Sequence, residues 1–239
     1  MTHIIPLTTI RLLLCLVFST VVLFSFYGLT LSSIKNEHYP MESYTRCLVS
    51  VHQALDSLAI PWFLTFGSAL MYWRSNNFLS NDMDIGIFYK DLKARNFNDK
   101  IFVSTMKEKF NFTLRNHYGE MNHGKEWSFA CPKSNVPIDV FVFYPFMESK
   151  TKSSAYWSAT YNGLCNKMKY KKCRWRFRKF NLISFEMLNK TFSIVPIEFI
   201  VERYGENYRI PKQYGYFESL NILPNLIEEY DVNITNSKQ

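Results

Sequence analysis

Two aspartates one residue apart, Asp82 and Asp84, open the run "DMDIGIFY". In a strand such residues project from one face, so their carboxylates stand side by side. At about 4 Å two like charges repel by ~4 kcal/mol when the effective dielectric is roughly 20. Either one carboxyl keeps its proton or a cation sits between them. A third aspartate, Asp139, lies at the start of another apolar run, "IDVFVFY". Three aspartates at strand ends make a seat for Mg²⁺ or Mn²⁺ holding a nucleotide phosphate. The plainer alternative makes Asn81-Asp82 a turn and Asp84 a surface residue. Spacing by itself leaves both open.

Elements must hold these carboxylates in place. From Met41 onward Leu48, Val51, His52, Leu55, Leu58 and Ala59 recur at helical steps, and Pro61 ends the pattern. His52 falls on that apolar face and reads as a core histidine rather than a ligand. Trp62 to Phe66 is predicted as a buried strand, followed from Gly67 by a helix carrying Ala69, Leu70 and Trp73. Met83–Tyr89, Trp127–Cys131 and Ile138–Tyr144 are predicted strands, and Asp99–Phe110 a helix. Pro196 opens a helix that Gly205 closes, and Pro211 prevents its resumption. With no repeats and no linker, 41–230 is expected to be one domain of mixed α and β, with a flexible tail at 231–239.

The chain has 239 residues and a net charge of +8, which suits an anionic partner: nucleic acid, a phosphorylated substrate or a lipid headgroup. Leu12 to Leu31 carries no charge and is long enough to span a bilayer as a helix. The expected order is a short cytoplasmic segment at 1–11, a signal anchor at 12–31 and a stem at 32–40. A cleaved signal peptide is the alternative. Three acceptor sequons, at Asn111, Asn189 and Asn233, all follow the anchor and make sense only in the secretory lumen. The expected topology is therefore single-pass type II, which disfavours nucleic acid. Cys47, Cys131, Cys165 and Cys173 would then face an oxidising compartment, with three pairings open. No CxxC spacing supports zinc instead.

The motifs, taken together, resemble the fukutin branch of the LicD family. Gly67-Ser68-x-Leu70 and Arg74 precede Asp82-x-Asp84-Ile85-Gly86-Ile87. "IDVFVFY" supplies the matching third carboxylate, Asp139. Cys173-Arg-Trp175, Ile194-Val195-Pro196, Glu202-Arg-Tyr204-Gly205 and Pro211 follow in the family's order. Tyr208 departs from it, standing where relatives often have tryptophan. The resemblance implies an α+β nucleotidyltransferase fold of the DNA polymerase β type, a mixed sheet flanked by helices. It also implies transfer of an alcohol phosphate from a CDP-activated donor, such as CDP-ribitol or CDP-choline, to a glycan on a glycoprotein or glycolipid. Asp82, Asp84 and Asp139 would bind Mg²⁺ or Mn²⁺ and form the catalytic set, with Asp139 as general base. Gly67 and Ser68 would bring helix-start N–H groups to a phosphate, and Arg74 would neutralise it. A Golgi or ER membrane location and assembly with itself or with other glycosylation enzymes complete the expectation.

Lys167 to Lys179, "KMKYKKCRWRFRK", holds eight cations in thirteen residues. As a strand it shows Arg174, Arg176 and Arg178 on one face and Trp175 and Phe177 on the other. The arginines suit a donor diphosphate or a phosphorylated acceptor; a solvated face whose aromatics pack the core is the other reading. Three rivals stand beside the transferase. A DxD glycosyltransferase would use a nucleotide sugar, but the Gly67-Ser68 helix ahead of the aspartates is a nucleotidyltransferase order. A polymerase-like enzyme acting on RNA conflicts with the anchor. A non-catalytic relative would bind glycans or a partner enzyme, and the three aspartates count against it.

Overall fold

Helix α1 (Met41–Ser57) forms because Tyr44, Cys47, Leu48, Val51, Ala54 and Leu55 make one buried stripe. It stops where Ala59 turns left-handed, at φ 53°, and Ile60 N–H returns to the Leu55 carbonyl at 2.9 Å. The computed structural model describes residues 39–77, 82–147, 154–160, 164–165, 168–169, 171–211 and 226–231. The expected anchor, the stem as far as residue 38 and the tail beyond 231 lie outside the described residues. Among the described residues no helix is long and apolar enough to cross a membrane.

After α1 come β1 (Trp62–Leu64), α2 (Phe66–Ser75), β2 (Met83–Phe88), α3 (Tyr89–Ala94) and α4 (Asp99–Phe110). The strands β3 (Thr113–Glu120), β4 (His123–Ala130), β5 (Pro137–Met147), β6 (Ser154–Thr160), β7 (Leu164–Cys165), β8 (Met168–Lys169) and β9 (Lys171–Arg178) follow. The chain continues through β10 (Ile183–Met187), β11 (Lys190–Ile194), α5 (Ile197–Tyr204) and β12 (Leu226–Asp231). Ten strands form one sheet in the order β10-β11-β1-β2-β5-β6-β9-β12, with β4 added to β5 and β3 to β4. β1 runs parallel to β11 and β2 parallel to β5. The remaining pairs, such as β1 with β2 and β4 with β5, are antiparallel. The architecture is thus α+β, a mixed sheet flanked by helices.

Strand β5 organises the sheet. Its first half lies between β2 and β4, whereas its last residues pair with β6. One face of these strands carries Ile85, Ile87, Val140, Val142, Trp127 and Phe129, covered by α1 and α4. The Phe102 ring of α4 sits 4.5 Å from Trp127, and His52 of α1 lies 6.4 Å from Trp62. A disulfide between Cys47 and Cys131 ties α1 to the end of β4, with Cα atoms 5.5 Å apart. This settles one of the open pairings; the side chains of Cys165 and Cys173 fall outside the described residues. His52 is the core histidine expected: its side chain is 15% exposed, with Nδ1 3.3 Å from Asp56.

The other face is aromatic. Phe63, Phe88, Phe141, Phe143 and Phe177 pack under α2 and α5, with Phe177 stacked on Phe199 at 4.2 Å. Gly86 lies in the middle of this layer, where an added Cβ would run into the Phe63 ring and come within 2.9 Å of Phe143. β1 ends at Leu64, two residues earlier than expected, because Phe66 turns left-handed (φ 38°) and starts α2. β4 begins at His123 rather than Trp127, and β5 continues past Tyr144 to Met147.

Candidate metal centre

The parallel register sets Asp84 of β2 directly beside Asp139 of β5, and Asp82 lies one residue ahead of β2. A carboxylate oxygen from each of the three falls within 4.8 Å of the others. This is a hard, all-oxygen donor set of the kind Mg²⁺ and Mn²⁺ prefer, and the residues fit such an ion.

Helix α2 fastens the set. The Gly67 N–H donates to Asp84 Oδ2 at 2.7 Å, and the Asp84 N–H donates to Ser68 Oγ at 2.9 Å. Tyr44 of α1 donates its hydroxyl to the Asp82 carbonyl at 2.8 Å. Its oxygen lies 2.8 Å from Ser68 Oγ, so the serine hydroxyl is free to donate to it. Gly67 and Ser68, expected to meet a phosphate, are both hydrogen-bonded with Asp84. The turn that places them is strained, since a left-handed non-glycine residue costs about 1–3 kcal/mol. The Phe66 ring, lodged 4.7 Å from Phe141, holds it in position.

Crowding shows in the protonation. Asp84 is 8% exposed. Burial, followed by the charges of Asp82 and Asp139, pushes its carboxyl well above the ordinary range against the opposing Gly67 bond. Asp139 is pushed up to about 6 by burial, with the Asp82 charge adding to the rise and a Ser128 hydrogen bond and Arg115 opposing it. Ser128 stands opposite Asp139 on β4. Two residues before it, buried Glu126 adds a fourth negative charge acting on Asp84.

The cations come from helices. Arg203 of α5 is 7% exposed, and its guanidinium lies 4.0 Å from the Trp175 ring and 5.5 Å from that of Phe66. Burial lowers its pKa to about 10, with Tyr204 and Asp84 opposing. Burial raises the Tyr204 hydroxyl, which also feels the charges of Arg203, Asp84, Asp82 and Arg74. Arg74 stands in the last turn of α2, with Nη2 3.0 Å from Met71 Sδ.

Strand β9 carries further arginines. Trp175 and Phe177 are buried on the aspartate face of the sheet. Arg174, Arg176 and Arg178 alternate with them and face the other way. Arg174 lies 4.2 Å over Trp157, which stacks on Tyr144. The Arg178 N–H donates to Glu202 at 3.0 Å. A separate cavity of about 650 Å³, lined by Arg178, Glu202 and Tyr208 among others, contains none of the three aspartates. Tyr44, Glu126, Ser128 and Arg203 were not singled out from the sequence. Polar Glu126 and Ser128 alternating with Trp127 and Phe129 was the legible signal for two of them.

Asn111 caps the end of α4 at φ 59° and is exposed. Asn189 is exposed in the turn between β10 and β11, at φ 55°. Asn233 lies outside the described residues.

No protein-family model matches the chain. It is 28% identical over 163 residues to the human (Homo sapiens) ribitol-5-phosphate transferase FKTN, covering 66% of this chain and 32% of that protein. The Macaca fascicularis protein of the same name matches to the same extent. These similarities support a fukutin-like relationship. The chain spans about a third of the length of the curated relatives it matches.

Proposed function

We propose that this chain is a metal-dependent phosphotransferase with a nucleotidyltransferase-type fold. In this reading it moves an alcohol phosphate, ribitol phosphate or phosphocholine in kind, from a CDP-activated donor to a glycan. The observation that carries the proposal is the convergence of Asp82, Asp84 and Asp139 within 4.8 Å across two parallel strands. Similarity to a protein named as a ribitol-5-phosphate transferase supports the reaction class. A divalent cation held by the three aspartates would neutralise charge on the donor's diphosphate. Asp82 and Asp84 present their oxygens from the start of β2, aligned by Ser68 and Gly67. Asp139 accepts the proton of the acceptor hydroxyl, and Ser128 fixes its carboxylate. Arg74 supplies positive charge on the donor side. Residues 41–230 form the catalytic domain, placed in the Golgi or ER lumen by a type II anchor, alone or assembled with other glycosylation enzymes.

The direct test incubates the purified protein and Mn²⁺ with CDP-ribitol, CDP-choline, CDP-glycerol and nucleotide sugars, each with a glycan acceptor. CMP release from one CDP-alcohol, abolished by EDTA, is the expected result. Turnover of nucleotide sugars alone would replace the reading with a glycosyltransferase, and full activity in EDTA would remove the metal.

A further inference from the structure

We infer that Arg203 is the phosphate-binding cation of this site, its buried guanidinium packed on Phe66, the residue before the Gly67 N–H that holds Asp84, to receive a phosphate of the nucleoside-diphosphate donor. The identity of that donor rests on the function proposed above; the role of Arg203 rests on its own surroundings. A buried arginine is normally paired, because an uncompensated buried charge is expensive. Arg203 is 7% exposed, yet its Nε and Nη1 find no hydrogen-bond partner. Among the described residues it joins no ion pair. Its neighbours are aromatic faces: Trp175 at 4.0 Å, Phe66 at 5.5 Å and Tyr204 at 5.9 Å. They fix the guanidinium plane and leave Nε and Nη1 unpaired.

Arg203 interacts with the Tyr204 hydroxyl and feels the charge of Asp84 through space. A divalent cation on the three aspartates would take that charge over. The guanidinium would then lack any anion, and the ligand arriving with the cation is itself anionic. A diphosphate between metal and arginine satisfies both, a pairing suited to guanidinium geometry. The charge of Arg74 also reaches Tyr204. The strand arginines Arg174, Arg176 and Arg178 alternate with the buried Trp175 and Phe177, and Arg178 donates its N–H to Glu202 instead.

The competing explanation is structural, a cation held between rings for packing. The two separate when inorganic pyrophosphate is titrated calorimetrically into the full chain with Mn²⁺, well below each variant's melting temperature. Arg203→Met keeps the length and apolar contacts while removing the charge. It should melt at or above the wild-type temperature without ligand, yet bind pyrophosphate roughly tenfold to a hundredfold more weakly. Unchanged affinity, or no pyrophosphate binding by the wild type, overturns the inference. If Arg203→Met does not fold, Arg203→Lys decides: retained charge without the planar fork should weaken binding several-fold, and undiminished binding overturns the inference. Arg203-dependent pyrophosphate binding without CMP release from any CDP-alcohol would sink the proposed reaction and leave this inference standing. CMP release and pyrophosphate binding that both survive Arg203→Met would do the reverse.

Discussion

Asp139 holds its proton up to about pH 6 in the folded chain, whereas an unfolded aspartate loses it near ~3.9. The folded state therefore binds this proton more tightly. The stability it contributes is complete below about pH 4 and is lost as pH rises through about 6. Asp84 acts in the same sense. In EDTA the protein should accordingly melt at a higher temperature at pH 5 than at pH 7.5, and Mn²⁺ should raise the melting temperature more at the higher pH. Glu202 is also raised, so Asp139→Asn isolates the site: its profile should be flatter than that of the wild type. A wild-type profile in EDTA no steeper than that of Asp139→Asn would mean that burial does not raise the Asp139 carboxyl. Asp84→Asn should fold, since its amide oxygen can still accept the Gly67 N–H, while CMP release falls by orders of magnitude. Loss of the fold instead would make Asp84 structural.

The legible elements were those whose burial follows a short period. β2, β5 and α4 are hydrophobic at strand or helix spacing, and the expected extents of β2 and α4 differ little from those observed. β3 is exposed at nearly every residue and β10 at most of theirs, so no alternation marks them. The aspartates stand out because two flank the start of one strand and the third lies near the start of another. Tyr44 and Arg203 join them only through tertiary packing, from 38 residues upstream and more than a hundred downstream of Asp82. The alternation in β9 was read correctly, but which face meets the site depends on the pairing with β6. Alanine at Arg174, Arg176 or Arg178 should thus leave CMP release unchanged; a tenfold loss at any of them would show that the arginine face meets substrate. Gly86→Ala should cost about 1–3 kcal/mol in urea unfolding, because its methyl group meets the Phe63 and Phe143 rings. A neutral result would mean that the aromatic layer yields.

Among the described residues one disulfide staples the frame. The Cys47–Cys131 link joins residues 84 apart, a closure that chain entropy values at ~4–5 kcal/mol. Such a bond belongs to an oxidising compartment, the same compartment in which the sequons would be used. The structure makes that second expectation specific. Asn111 and Asn189 are both exposed at left-handed turns, away from the carboxylate cluster in sequence and on different elements. A glycan at either would project into solvent without displacing core side chains. Expressed with its full N-terminus in a secreting cell, the protein should lose mobility steps on enzymatic deglycosylation. Asn111→Gln and Asn189→Gln should each remove one step, and neither should lower CMP release, because both are exposed at turns outside the strands that carry the three aspartates. Non-reducing electrophoresis of the same samples should show Cys47 and Cys131 inaccessible to alkylation until reductant is added. An unglycosylated chain whose Cys47 and Cys131 alkylate without reductant would place this domain on the cytoplasmic side and overturn the type II topology.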